Sequence, residues 1–304
     1  MVAVTVKNII KTYGAKKEKV TALDNVSFEV KQGELFGIIG PDGAGKTSLF
    51  RILTTLLLAD SGTATVDGFE VVKDYKQIRN RVGYMPGRFS LYEDLTVEEN
   101  LNFFATVFNT SIEANYDLIK DIYSQIEPFK DRRAGKLSGG MKQKLALSCA
   151  LIHRPSVLFL DEPTTGVDAV SRKEFWEMLK HLKQQGITML VSTPYMDEAG
   201  LCDRVALMQK GKLLSINTPQ VIVNDFGKSL WAIKSQNMLH LLNDLKEMNE
   251  VEDVYPFGEF HHLILKNEND LGLIKDRVLK KYEDLQIKQV QPDIEDCFIE
   301  LMKN

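Results

Sequence analysis

The 304-residue sequence predicts an α/β fold: a mostly parallel sheet covered by helices on both faces, followed by a small α+β unit. Three features carry that prediction. The short continuous apolar runs "ELFGIIG", "SVLFLDEP" and "ITMLVS" read as buried parallel strands. Helical stretches lie between them, and such alternation produces a doubly covered sheet. From about Ser229 the order becomes β-α-β-β-α-β-α within about 75 residues, which predicts a ferredoxin-like sandwich.

Taken in order, "VAVTVKNI" and "VSFEV" alternate like half-exposed strands. A turn at Gln32-Gly33 leads into "ELFGIIG", and "SLFRILTTLLL" continues as a helix. "TATVDG" is a short strand. "TVEENLNFFATVF" is a helix opened by the capping-box pair Thr96 and Glu99, with Val97, Leu101, Phe104 and Phe108 on one face. "SVLFLDEP" follows as a strand. "VSRKEFWEMLKHLKQQG" is a helix whose inner face is Phe175, Met178, Leu179 and Leu182 and whose stop is Gly186. After "ITMLVS", "RVALMQKGKLLSI" reads as two strands around a Lys210-Gly211 turn. In the last part "SLWAIKS", "VEDVYPF", "FHHLILKN" and "LQIKQVQP" are strands, and "NMLHLLNDLKEM", "DLGLIKDRVLKKY" and "IEDCFIELM" are helices. His261 and His262 are neighbours on one strand, so they face opposite sides and make a poor metal pair.

Composition narrows the function. The chain is 44% apolar and 26% charged, ordinary for a globular protein. Thirty-eight basic against 42 acidic side chains leave a net charge of −4, with no electrostatic footprint for nucleic acid. No apolar run approaches the ~18 residues of a membrane span. "MVAVTVKNII" lacks the basic region and apolar core of a signal peptide. Cys149, Cys202 and Cys297 match no metal spacing and are expected to be reduced thiols in the cytosol.

Three motifs carry chemistry. "GPDGAGKT" matches G-x-x-x-x-G-K-[ST] between a buried strand and a helix, the setting a phosphate-binding loop requires. Gly40, Pro41, Asp42, Gly43, Ala44, Gly45, Lys46 and Thr47, with Ser48 after them, are the candidate ATP cradle. Gly43 and Gly45 let backbone N–H groups close on phosphates, and the helix N-terminus adds a favourable dipole. Lys46 would reach the β- and γ-phosphates, and the Thr47 hydroxyl would hold Mg²⁺. In "VLFLDEP", Asp161 and Glu162 stand at the carboxyl end of a strand, where ligands bind in open α/β sheets. Asp161 would support Mg²⁺ and Glu162 would act as general base toward water. "LSGGMKQK" sets Ser138 and two glycines at the start of a helix, another anion site.

That third string and the order of the three motifs resemble the ATP-binding-cassette ATPases over about the first 220 residues. The resemblance implies a P-loop NTPase cassette over 1–222, with an antiparallel β subdomain and a helical subdomain at about 88–155. An accessory domain would occupy 223–304. It implies two cassettes dimerised head to tail, with Ser138, Gly139, Gly140 and Gln143 serving the partner's ATP. It also implies that Tyr13 in "KTYG" stacks on adenine and that Asp168 in "TTGVDAVSR" lies at the dimer interface.

The sequence departs from the family at three places. Members usually carry a glutamine where this chain has Gly87, and a switch histidine where it has Pro194. Proline cannot donate a hydrogen bond to a γ-phosphate and stiffens the loop. Asp42 stands where asparagine is commoner, and its carboxylate is expected to point away from phosphates or pair with a cation. Slow hydrolysis at this chain's own site is therefore expected, with a complete partner cassette beside it, so that a heterodimer is favoured over a homodimer. "GPDGAGKT", "GYMP…FSLYEDLTVEENL", "GKLSGGMKQKL" and "IEDCFIELM" look like the N-terminal cassette of tandem drug-export ATPases that pair with ABC-2 type permeases. This implies an exporter subunit on the cytoplasmic face of the membrane, docked to its permease around Phe89, Leu91, Tyr92 and Leu95. The alternative is a nucleotide-binding regulatory cassette with little hydrolysis.

Overall fold

Strand and helix order follow the sequence pattern through most of the chain. The computed structural model describes residues 1–14 and 19–303, in two units, Met1–Gln220 and Val221–Asn304. The first unit opens with β1 (Val2–Tyr13), β2 (Val20–Lys31), β3 (Leu35–Ile39) and α1 (Lys46–Leu53). It continues through β4 (Ser61–Val66), β5 (Phe69–Glu70), α2 (Tyr75–Arg79) and β6 (Val82–Met85). Three helices follow, α3 (Val97–Val107), α4 (Tyr116–Tyr123) and α5 (Gly139–Leu151). Then come β7 (Val157–Asp161), α6 (Ala169–Gln184), β8 (Thr188–Thr193), β9 (Arg204–Gln209) and β10 (Lys212–Asn217).

A six-stranded sheet in the order β10-β9-β3-β8-β7-β6 forms the centre of this unit. Its β3, β6, β7, β8 and β9 pair in parallel, and β10 joins antiparallel at the edge. The residues of β3, β7 and β8 are all buried, which accounts for their unbroken apolar runs. A second, antiparallel sheet has the order β2-β1-β4-β5. Both sheets share a core: Phe28 of β2 stacks on Phe36 of β3 at 5.4 Å between ring centroids, and Phe50 of α1 meets Phe159 of β7 edge-on at 5.8 Å.

The capping box that opens α3 forms, with Glu99 N–H donating to Thr96 Oγ1 at 3.1 Å and Thr96 N–H to Glu99 Oε2 at 2.7 Å. Of its expected inner face, Val97 and Leu101 are buried, while Phe104 and Phe108 are half-buried and line a groove. On α6, Trp176 joins Phe175, Met178, Leu179 and Leu182 in the core, and Gly186 follows at φ +85°. One expected element is shorter than predicted. α1 ends at Leu53, because Thr55 adopts φ +64° and the N–H groups of Leu56 and Leu57 turn back to the Arg51 carbonyl. That left-handed C-terminal cap satisfies the last carbonyls and leaves Leu56 and Leu58 exposed.

The short helix α7 (Pro219–Asn224) carries the division between the units. The second unit has β11 (Leu230–Lys234), α8 (Met238–Lys246), β12 (Val251–Phe257), β13 (Phe260–Leu265), α9 (Leu271–Leu279), β14 (Gln286–Val290) and α10 (Ile294–Leu301). Its antiparallel sheet runs β12-β13-β11-β14, the strand order of the ferredoxin-like sandwich. Ile233, Leu241, Leu263, Ile274 and Val278 form its core. The two adjacent histidines are bound within the fold: His261 Nε2 lies 2.8 Å from the Met238 carbonyl and His262 Nδ1 2.6 Å from Asp296 Oδ1. Among the described residues no helix is long and apolar enough to cross a membrane.

Candidate functional site

β3 ends at Ile39, and the chain wraps through Gly40–Gly45 before α1 begins at Lys46. Close backbone approach dictates the glycines. A Cβ on Gly40 would stand 2.1 Å from the Met208 carbonyl oxygen, and one on Gly45 2.2 Å from that of Ala22. Gly45 also has φ +110°, so Gly45→Ala adds backbone strain to a clash. It is expected to lower stability by about 2–5 kcal/mol and to abolish nucleotide binding, as urea unfolding and equilibrium binding would report. Gly43, at φ +78°, has open space where a Cβ would stand, so the outer rim of the loop is free for a ligand.

The loop is closed from within by Lys46. Its side chain is 3% exposed, and Nζ donates to the carbonyls of Gly40 at 2.7 Å and Pro41 at 3.1 Å. Further backbone bonds join Ala44 N–H to the Pro41 carbonyl and Gly40 N–H to the Thr193 carbonyl. The N-cap of α1 is Gly45, with no side-chain cap, so the first N–H groups keep their capacity for an anion.

The acidic pair meets this loop. Lys46 Nζ lies 3.1 Å from Glu162 Oε1. Asp161 is buried at the end of β7, where it accepts from Ser192 Oγ at 2.5 Å and from the Thr47 side chain. Burial pushes the Asp161 carboxyl above its ordinary range, and the hydrogen bonds from Ser192 and Thr47 oppose that rise. Glu162 takes φ +51°, a left-handed conformation that costs an ordinary residue energy. Thr47 and Asp161 supply hard oxygen donors, which fit a Mg²⁺ ion that would take its remaining ligands from phosphate and water.

The other predicted residues fall into two groups. Tyr13 reaches the site: it is 40% exposed, and its hydroxyl lies 3.1 Å from Ser48 Oγ. Gly87 also reaches it, since a Cβ there would stand 3.0 Å from the Asp161 carbonyl oxygen. Pro194 directly follows β8 and is half-buried, and Asp42 is exposed on the loop. Ser138, Gly139, Gly140 and Gln143 are held elsewhere. Ser138 caps α5 by accepting from Met141 N–H at 3.3 Å, and a Cβ on Gly140 would stand 2.8 Å from Ser171 Oγ. Asp168 caps α6 beside them, accepting from Ser171 Oγ at 2.7 Å and from the Val170 and Ser171 N–H groups. The Ser171 N–H and hydroxyl hold its carboxyl below the usual range. Among the described residues, no hydrogen bond or ion pair joins these signature residues to Gly40–Ser48.

Comparison with known proteins gives this arrangement a lineage. The family described as ABC transporter matches residues 23–165. The probable multidrug ABC transporter ATP-binding protein YbhF of Escherichia coli is 41% identical over 293 residues, 95% of this chain and 50% of YbhF. The chain therefore spans half the length of that relative. The doxorubicin resistance ATP-binding protein DrrA of Mycobacterium tuberculosis is 34% identical over 275 residues, covering 88% of this chain and 80% of DrrA. The chain belongs to the ABC transporter family. The dimeric post-hydrolysis structure of the ATP-binding cassette MJ0796, bound to ADP and Pi, superposes on this cassette with a TM-score of 0.64 at 26% identity. That match covers 71% of this chain and 98% of MJ0796.

Sequence reasoning passed over a second polar layer behind the cassette's acidic pair. Glu198 is buried and accepts from Thr193 Oγ1 at 2.5 Å and Thr164 Oγ1 at 2.9 Å. Arg172 Nε lies 3.5 Å from it, while the Arg172 fork also pairs with exposed Asp197 at 2.7 Å. The layer thus ties the ends of β7 and β8 to the start of α6. Its signal in the sequence is faint: hydroxyls closing an otherwise apolar strand in "TMLVST". Glu198→Ala strands two buried hydroxyls and is expected to cost about 2–4 kcal/mol in urea unfolding. Asp197→Ala removes only an exposed partner and is expected to stay within about 0.5 kcal/mol of wild type.

Proposed function

We propose that this cassette is the ATP-binding, energy-coupling subunit of a multidrug-type exporter. Mg·ATP would bind on Gly40–Ser48, with Tyr13 against adenine. The observation that carries this reading is the convergence of Lys46, Thr47, Asp161 and Glu162 on one loop. Lys46 would leave Glu162 for the β- and γ-phosphates. Thr47 and Asp161 would hold Mg²⁺, which neutralises phosphate charge when bound. Glu162 would take a proton from water as the water oxygen bonds to the γ-phosphorus and the bond to the β-phosphate oxygen breaks.

Ser138, Gly139, Gly140 and Gln143, with Asp168, would serve the ATP of a second cassette. Their cluster at the starts of α5 and α6 supports a head-to-tail pair, because among the described residues no hydrogen bond or ion pair ties it to this chain's own loop. Gly87 and Pro194 occupy the glutamine and switch-histidine positions, and neither has a side-chain donor. Removing one preorganised donor costs about 10²–10³ in rate. Slow hydrolysis here and a complete cassette opposite follow, which favours a heterodimer. Site-specific nucleotide trapping in the reconstituted complex tests this: turnover should concentrate at the partner's phosphate loop, and equal turnover at both sites contradicts it.

An ABC-2 type permease would dock around Phe89, Leu91, Tyr92 and Leu95; of these, Leu91 lines a groove of about 420 Å³ with Phe104, Val107 and Phe108. That would place the cassette on the cytoplasmic face of the membrane. Residues 1–222 would act as the nucleotide-binding domain, 88–155 as its helical part, and 223–304 as an accessory domain. Gly87 and Pro194 also favour a second reading, a regulatory cassette that binds ATP and barely hydrolyses it. Addition of the partner cassette separates the two, since only the first reading predicts that turnover of the complex requires this chain's intact Ser138–Gly140.

A further inference from the structure

Besides the phosphate loop, two segments meet the Asp161–Glu162 turn: the stretch at Gly87 and the end of β8. Gly87 presents only backbone, with its Cβ position 3.0 Å from the Asp161 carbonyl oxygen and 3.6 Å from Glu162 Cβ. Pro194 has neither an N–H nor a polar side chain. Two residues before it, at the end of β8, Ser192 supplies the side-chain group that Gly87 and Pro194 lack.

Ser192 is fully buried in a strand whose six residues are all buried. A hydroxyl there is costly unless bonded. Its Oγ donates to Asp161 Oδ1 at 2.5 Å and accepts from Glu162 N–H at 3.0 Å. The same N–H also lies 3.0 Å from the Ser192 carbonyl. One side chain thus fixes one oxygen of the metal-site carboxylate and the backbone of the next residue, which is held at φ +51°. Without such a tether the backbone at Glu162 would tend to relax out of the left-handed region and swing its carboxylate away from Lys46.

We propose that Ser192 is a positioning residue of this site, orienting Asp161 for Mg²⁺ and holding Glu162 toward the γ-phosphate side of the loop. The inference rests on the Mg·ATP reading above. Replacing an outer partner of a metal-bound carboxylate typically lowers metal affinity about 10–100-fold. A hydroxyl that merely filled a buried gap would not separate metal dependence from nucleotide binding, and that separation is the test.

The experiment is equilibrium binding of a fluorescent ATP analogue to the full chain and to Ser192→Ala, titrated with Mg²⁺ and repeated in EDTA. Thermal unfolding is recorded alongside. Ser192→Ala should need about 10-fold more Mg²⁺ or above for half-saturation, while its Mg²⁺-free affinity stays within about twofold of wild type. An unchanged Mg²⁺ half-saturation overturns the inference, as does an equal loss with and without metal. Should the alanine variant fail to fold, Ser192→Cys keeps most of the volume, weakens the donor and supports the same comparison. A wild-type chain whose nucleotide binding ignores Mg²⁺ would overturn the Mg·ATP reading itself, a result separable from failure of the Ser192 assignment.

Discussion

Pro194→His is expected to raise steady-state ATP hydrolysis by this chain about 10²–10³-fold, the typical worth of one preorganised donor to transition-state charge. Pro194 is half-buried, and the preceding Thr193 fixes the loop through its own contacts. The Thr193 carbonyl accepts from Gly40 N–H at 3.2 Å, so the residue after it stands one peptide from the phosphate loop. Thr193 Oγ1 accepts from Tyr195 N–H at 3.1 Å and donates to Glu198 at 2.5 Å. These bonds do not depend on the pyrrolidine ring, and the loop should keep its course when the ring is removed. Gly87→Gln is a poorer first choice, because its Cβ would meet the Asp161 carbonyl oxygen at 3.0 Å and shift the acidic pair. A Pro194→His variant that binds Mg·ATP and turns over no faster would show that the missing imidazole does not limit the rate.

Glu162→Gln, introduced into the Pro194→His chain, is expected to lower that gained rate about 10²–10⁴-fold while ATP binding holds or tightens. The base is lost because an amide cannot take a proton from water. Binding is spared because Glu162 is an ion-pair partner of Lys46, at 3.1 Å. That pair must open before Lys46 can turn to phosphate, and a neutral side chain removes the competitor. Weaker binding in Glu162→Gln would contradict this account of the ion pair. Turnover in single-nucleotide steps and equilibrium binding, measured on the same preparation, separate the two effects.

The parts of the candidate site that are local in the chain are the ones legible in the sequence. Gly40–Thr47 is a contiguous loop whose glycines answer to φ and close approach. Thr96 and Glu99 form a cap four residues long, and the β-α-β-β-α-β-α order of the second unit was readable from alternating periodicities. Ser192, Thr193, Glu198 and Arg172 were not legible, because each gains its meaning from a partner brought close by sheet pairing or helix packing. Ser192 meets Asp161 across the parallel β7–β8 register, 31 positions away in the chain. In "TMLVST" the hydroxyls look like a fading strand end. Similarly, the end of α1 at Leu53 depends on a left-handed Thr55, a conformation that apolar patterning does not reveal. Gly87 acquires physical content only from its approach to Asp161, which its place in the sequence does not reveal.

The most direct measurement is steady-state Mg·ATP hydrolysis by the purified wild-type chain beside Glu162→Gln, with ATP binding followed in parallel. The wild type is expected to bind Mg·ATP and to turn it over at a rate close to that of Glu162→Gln. Appreciable turnover that disappears in Glu162→Gln would contradict it: the carboxylate would then suffice without a histidine, and the case for a complete partner cassette would lose its main support.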